Sequence, residues 1–227
     1  MKNKKILIVA AHPDDEVLGC FGTVARLILL GYEAYTLILG EGKTSRDKTR
    51  DVSNKADELK MLNNEILKAN EVIGIKEVFT ENFADNRFDS IDLLDIVKAV
   101  DKVKNLIKPD IIFTHFANDL NIDHRITYNA VLTSTRPMID ECVREIYSFE
   151  ALSSTEWNYP QSFAPDVFYD ITQTLSLKQK AMSIYASELR KYPHPRSIDG
   201  IELTAKYHGM RVGLKYAEAF KTVRILR

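Results

Sequence analysis

Two cysteines in 227 residues, Cys20 and Cys142, are too few and too isolated for a disulfide framework, and they argue for a reducing, cytoplasmic setting. Long apolar runs are missing too. Ile6-Leu7-Ile8-Val9 is cut off by the polar stretch His12-Pro13-Asp14-Asp15-Glu16, and Leu27–Leu30 is far shorter than a membrane span. The lysine-rich start therefore leads into no signal-peptide core. Neither sign of charge prevails: 31 Lys and Arg face 32 Asp and Glu, for a net charge of −1. Nothing in that balance calls for nucleic acid or an anionic membrane as a partner. Internal repeats and low-complexity segments are absent. The first strand-to-helix turn also lacks the G-x-G-x-x-G pattern and carries acids where a pyrophosphate would sit, which argues against a nucleotide-dependent oxidoreductase.

What is present is an ordinary globular composition, 45% apolar and 28% charged, at a length suited to one domain over 1–227. The expected division is a core βαβ part, 1–140, and a C-terminal part, 141–227, that completes the sheet. Strand-like and helix-like runs alternate. Strands are expected at Lys5–Ala10, Ala34–Leu39, Glu77–Thr80 and Asp110–Thr114. Helices are expected at Val17–Leu30, Arg50–Asn70, Ile91–Ile107 and His124–Thr135. Such alternation predicts an α/β fold with a mainly parallel sheet, helices on both faces and all strand C-termini on one edge. Further on, strands are expected at Glu145–Phe149, Val167–Ile171 and Phe220–Leu226, and helices at Gln173–Arg190 and Ile201–Leu214. The intervening Tyr192-Pro193-His194-Pro195-Arg196 reads as a stiff extended loop.

The chemistry concentrates at residues 12–16, where an imidazole and acidic groups sit at the mouth of a buried strand. In open α/β sheets that is where ligands and metals bind. His12 and Asp15 have the H-x-x-D spacing that grips one metal across the turn, with Pro13 fixing the backbone between them. Catalytic zinc takes three protein ligands. His124 is the candidate for the third, because it begins the helix after the strand Ile111–Thr114 and reaches the same edge if that strand lies beside the first. Asp14 is left as a general base beside a metal-activated water. Asp123 is placed to orient an imidazole. Glu16 reads equally as a helix-dipole residue, His115 as a hydrogen-bonded structural histidine, and His208 as structural or exposed.

The stretch Ala11-His12-Pro13-Asp14-Asp15-Glu16, followed by Leu18-Gly19-Cys20 and Gly22-Thr23, resembles the signature of the LmbE-like, or PIG-L, deacetylases. Asp119-Leu120-Asn121-Ile122-Asp123-His124-Arg125 resembles that family's second motif. The resemblance covers roughly residues 4–135, and the ending resembles a bacterial sub-branch associated with surface-sugar biosynthesis. It implies a Rossmann-like fold and a zinc-dependent N-deacetylase acting on N-acetylglucosamine-type groups. Carried over, His12, Asp15 and His124 are the zinc ligands, Asp14 the base and Asp123 the carboxylate supporting an imidazole. This chain departs from the family at Asn121, where many members have a histidine. Asparagine donates a hydrogen bond to an oxyanion but cannot deliver a proton. Either Asp14 shuttles the proton both ways or another imidazole substitutes, with His194 the candidate and His115 second.

Loops after the second and third strands carry Ser45-Arg46 and Asp85-Asn86-Arg87, which the family uses for sugar hydroxyls. Asp85 and Arg87 are candidate substrate contacts, and Arg46 a candidate for a phosphate or carboxylate on the carrier. A solvated loop residue is the alternative for each. Trp157 and Tyr159 are candidates for a sugar-stacking wall, against packing for Trp157. Zinc is the expected cofactor, although His/Asp/His sites also take iron, cobalt or manganese. The expected partner is a small N-acetylated sugar or its conjugate, with a homo-oligomer left open. The alternatives are a hydrolase of another amide or ester bond, and a binding protein that keeps the metal without turnover.

Overall fold

Alternate residues of the first strand face opposite layers, and both layers are apolar: Ile6, Ile8 and Ala10 on one side, Leu7 and Val9 on the other. A strand buried on both faces belongs inside a parallel sheet. The computed structural model, which describes residues 3–42 and 56–227, places it there. Its elements are β1 (Lys5–Ala10), α1 (Asp15–Leu29), β2 (Glu33–Gly40), α2 (Ala56–Ile73), β3 (Glu77–Phe83), α3 (Leu93–Ile107), β4 (Ile111–His115), α4 (Ile122–Ser134), β5 (Glu145–Phe149), β6 (Val167–Asp170), α5 (Leu175–Ile184), α6 (Ile198–Met210) and β7 (Ala217–Ile225).

The sheet has seven strands in the order β3-β2-β1-β4-β5-β7-β6. Strands β1 to β5 pair in parallel, while β7 runs antiparallel to both β5 and β6. Helices cover both faces. On one, Phe21 and Val24 of α1 pack with Phe113, Phe149, Met182 of α5 and Ile201 of α6. On the other, Ile96 and Val100 of α3 and Val131 of α4 pack on Leu37 and Ile112. Each fully buried side chain of this size contributes about 1.5–3 kcal/mol. Gly19 lets α1 approach β5 closely, since a methyl group there would lie 2.3 Å from the Phe149 ring.

Two connections fix where a ligand can sit. β1 is flanked by β2 on one side and β4 on the other, so the chain winds outward in opposite directions from this pair, and a crevice opens beyond their C-terminal ends. Glu218 of β7 then ties the antiparallel part to α1. Its carboxylate accepts from Gly22 N at 2.9 Å and Thr23 N at 2.6 Å, and Lys178 Nζ donates to it at 2.7 Å.

The C-terminal third departs from the expected pattern. The helix expected over 173–190 is α5, which ends at Ile184, and the helix expected from Ile201 begins at Ile198. The chain leaves α5 at Tyr185, whose ring is fully buried and whose hydroxyl donates to Glu16 at 2.6 Å. The segment 192–196 is not an extended strap. It folds as successive turns closed by His194 N to Lys191 O at 3.1 Å and Ser197 N to His194 O at 3.0 Å. No helix among the described residues is long and apolar enough to cross a membrane.

Candidate metal centre

The peptide leaving β1 turns sharply into α1. Asp14 takes a left-handed backbone conformation (φ 93°) at the helix N-cap, which is costly for a residue other than glycine and is held by its surroundings. Asp at that position ordinarily caps the helix with its side chain. Here it makes no such bond. Its amide donates to Glu16 at 3.0 Å, and its carboxylate points away to Arg196 Nη1 at 3.0 Å. The turn thus spends backbone strain on presenting a carboxylate to the crevice.

β4 lies beside β1, as the placement of His124 requires, and the two histidines meet at one sheet edge. Asp15 Oδ2 lies 3.4 Å from His12 Nδ1 and 3.3 Å from His124 Nε2, and the three residues each bring one ligand atom within 4.8 Å of the others. Ligands held at about 2.0–2.1 Å around a tetrahedral zinc stand about 3.3 Å apart. The spacing, and a donor set of two imidazoles and a carboxylate, therefore fit a zinc-like ion. Each imidazole is turned by its other nitrogen. His12 Nε2 donates to Asp123 Oδ2 at 2.9 Å and lies 3.1 Å from Asp85 Oδ1. His124 Nδ1 faces Asp119 Oδ1 at 3.0 Å. Carboxylates behind a metal-binding histidine fix its tautomer and raise its basicity. Asp119 is in turn held by the hydroxyls of Ser154 and Thr155, and Asp123 by the amide of Phe88 at 3.0 Å.

The electrostatics of the site follow from this packing. Burial would raise Asp15, but the imidazoles beside it, that of His124 foremost, outweigh it and hold Asp15 well below the usual carboxylate range. Burial and the adjacent Asp15 push Asp14 well above that range, against the pull of Arg196. His115, pushed down to about 3 by burial and by its neighbour His124, is neutral. It stacks on His124 with ring centres 3.9 Å apart and accepts the Ala11 amide at 2.9 Å, behind the centre and not in the cleft.

The metal-centre residues floor a cleft of about 430 Å³, which Asp85, Asn121, Ser154, Glu188 and Arg196 also line. Of the candidate site residues, His12, Asp14, Asp15, His124, Asp85 and Asn121 come together there, while Asp123 is fully buried just behind, on His12. Asn121 caps α4, its amide oxygen accepting from Asp123 N at 2.8 Å, and its Nδ2 donates to Asn86 at 2.9 Å. Arg87 is exposed and does not line the cleft, and neither do His194, Trp157 and Tyr159. His194 instead accepts the Arg196 amide at 3.1 Å and meets Trp157 edge to face at 5.7 Å. Ser45 and Arg46 lie outside the described residues. His208 is buried and hydrogen-bonded to Glu150.

Arg196, Glu188 and Asp119 are site residues that the sequence reading did not single out. Arg196 reaches Asp14 across 182 positions of chain. The available signal was an arginine in the same Pro-His-Pro-Arg segment that had drawn attention to His194.

Comparison with known proteins places these motifs. The chain is 28% identical over 196 residues to the uncharacterized deacetylase YaiS of Escherichia coli K12, covering 84% of this chain and 91% of that protein. The structure of the N,N'-diacetylchitobiose deacetylase of Pyrococcus horikoshii with its inhibitor MPG superposes with a TM-score of 0.77 at 20% identity, covering 98% of this chain and 85% of that one. The fold is not tied to one reaction. The 4-carboxy-2-hydroxymuconate hydratase GalB of Pseudomonas putida KT2440 superposes with a TM-score of 0.74 at 20% identity, covering 99% and 98%. The sequence itself is more specific: residues 7–135, which hold both metal-centre motifs, match the PIG-L family, described as GlcNAc-PI de-N-acetylase, and the chain belongs to that family.

Proposed function

We propose that the protein is a zinc-dependent hydrolase that removes the acetyl group from an N-acetyl amino sugar or its conjugate. One observation carries the reading: His12, Asp15 and His124 converge at ligand spacing while the carboxylate of Asp14 stands in the same cleft, bound to none of them. A zinc ion held by these three residues supplies Lewis acidity toward the amide carbonyl and lowers the pKa of water.

The chain's own residues do the rest. Asp14 takes the proton of the attacking water. It then returns the proton to the departing amine, because the second-motif position holds Asn121, which has no proton to give. Asn121 keeps one amide hydrogen beyond the one given to Asn86, and this remains available to an oxygen in the cleft. Asp85 and Asp123 keep the His12 ring aligned, and Asp119 does so for His124. Arg196 is a positioning residue: its guanidinium, shared with Glu188 at 3.6 Å, holds the Asp14 carboxylate in place. The turn containing His194 carries Arg196 to that position.

The direct test is acetate release by the zinc-reconstituted protein from free, nucleotide-linked and lipid-linked N-acetylglucosamine. Release from at least one of them is expected. No release from any, with zinc bound, overturns the reading. Arg196→Gln is expected to lower kcat about 10- to 100-fold, the scale of one lost hydrogen bond to a charged group, with KM little changed. Arg196→Lys should recover part of the loss. A kcat equal to that of the unaltered protein in Arg196→Gln removes the positioning role.

A further inference from the structure

A second hollow, about 470 Å³, opens next to the metal cleft and has no part in the chemistry above. Glu150 and Leu152 at its base follow directly on the C-terminal end of the parallel strand β5, so it lies at the same sheet edge as the metal centre. Two strips of chain serve both hollows. Leu152, Ser153 and Ser154 line the cleft, while Leu152 and Thr155 line the groove. Likewise Arg196 lines the cleft, and Tyr192, Pro193 and Pro195 line the groove. The contact of Trp157 with His194 ties the two strips together.

The groove's chemistry differs from that of the cleft. Tyr192 and Tyr207 are 61% and 55% exposed, an unusual outlay of aromatic surface. Its polar floor is a chain of groups that compensate one another. His208 Nε2 is hydrogen-bonded to Glu150, and Arg211 Nη1 lies 3.4 Å from His208 Nδ1. The Arg211 guanidinium lies over the rings of Phe168, at 5.1 Å, and Tyr207, at 5.8 Å. Glu156 accepts the amides of Ser153, at 2.6 Å, and Ser154, at 3.2 Å. Aromatic faces beside oriented polar groups suit a ligand with apolar CH faces and a rim of hydroxyls. Among the described residues lining the two hollows, the cations are Arg196, held by Asp14 and Glu188, and the exposed Arg211, which lies over two rings.

We propose that this groove is a second sugar site. It holds the neighbouring pyranose of an N-acetylated oligosaccharide while the acetamido sugar occupies the metal cleft. The proposal rests on the deacetylase reading and narrows it to an oligosaccharide.

The test compares kcat/KM for acetate release by the zinc-loaded protein on N-acetylglucosamine, N,N'-diacetylchitobiose and UDP-N-acetylglucosamine. The disaccharide is expected to be preferred about tenfold or more over both others, the scale of one good aromatic contact. Tyr207→Ala and Tyr192→Ala should each erase that preference through KM and leave the monosaccharide values unchanged. Both rings are exposed, and unaltered melting curves would verify the fold of each variant. Preference for the nucleotide sugar, or equal losses on mono- and disaccharide, overturns the proposal. If no sugar releases acetate, the deacetylase reading falls and calorimetric titration with N,N'-diacetylchitobiose decides the groove alone. Binding weakened by Tyr207→Ala sustains a sugar site, whereas binding that is absent or unaltered by that change removes it.

Discussion

Asp14→Asn is expected to bind zinc as well as the unaltered protein does and to lose about 10²- to 10⁴-fold in kcat, the usual contribution of a positioned general base. The substitution is close to isosteric, so the left-handed turn at residue 14 and the amide bond to Glu16 survive. The proposed ligands do not depend on the Asp14 side chain: Asp15 is oriented by His12 N at 2.9 Å and by the surrounding imidazoles. Asparagine can still accept one bond from Arg196, so the cleft keeps its shape and loses only the ability to take a proton. Metal content and turnover, measured on the same sample, separate the outcomes. An active variant removes Asp14 from the base role. An inactive variant that has also lost its metal would instead make Asp14 part of the binding site.

Removal of the metal is the second large effect. Chelation followed by gel filtration is expected to abolish acetate release, with zinc restoring it. The melting temperature should fall by about 5–10 °C. An ion present at about 100 times its dissociation constant adds about 2.7 kcal/mol, and about 1 kcal/mol moves the midpoint of a chain this size by about 2–4 °C. The loss stops short of unfolding because the ion-free site compensates itself. Burial works against a charge on His124, but Asp15 and Asp119 lift its pKa to about 9, so an imidazolium stands in to hold the Asp15 carboxylate. A melting temperature indifferent to chelation, in protein shown by analysis to have carried the ion, would mean that these residues do not hold it.

How much of this can be read from the sequence depends on the span of chain a contact has to cross. His12 and Asp15 are three positions apart at the end of a buried strand, so their spacing is visible locally. His124 needs one added premise, that β4 lies beside β1, and the parallel pairing of Ile6 with Ile111 satisfies it. The parallel half of the sheet is legible for the same reason, since its strands are apolar on both faces. The carboxylates behind the histidines are harder. Asp123 neighbours His124 in sequence yet serves His12, because the first turn of α4 points it across the crevice, and Asp119 serves His124 instead. Proximity in the chain suggests the wrong pairing. Asp85 reads as a sugar contact but lies against His12 Nε2. Arg196 is hidden by distance alone, and the turns at 192–196 by prolines that read as stiffeners of an extended loop.

The position of β7 has a consequence for how the protein is made. It is the last of the seven strands to leave the ribosome, yet it sits inside the sheet with β5 on one side and β6 on the other. Its Glu218 grips the helix that begins with Asp15. While β7 is still in the exit tunnel, β5 has an open edge, and Lys178, buried in the finished protein, has no carboxylate to meet. An unpaired strand edge and an uncompensated buried cation both disfavour the folded state. The nascent chain is therefore expected to hold the turn at Asp14 loosely until β7 has left the tunnel, so that a chain stopped before β7 is expected to yield no folded, active fragment.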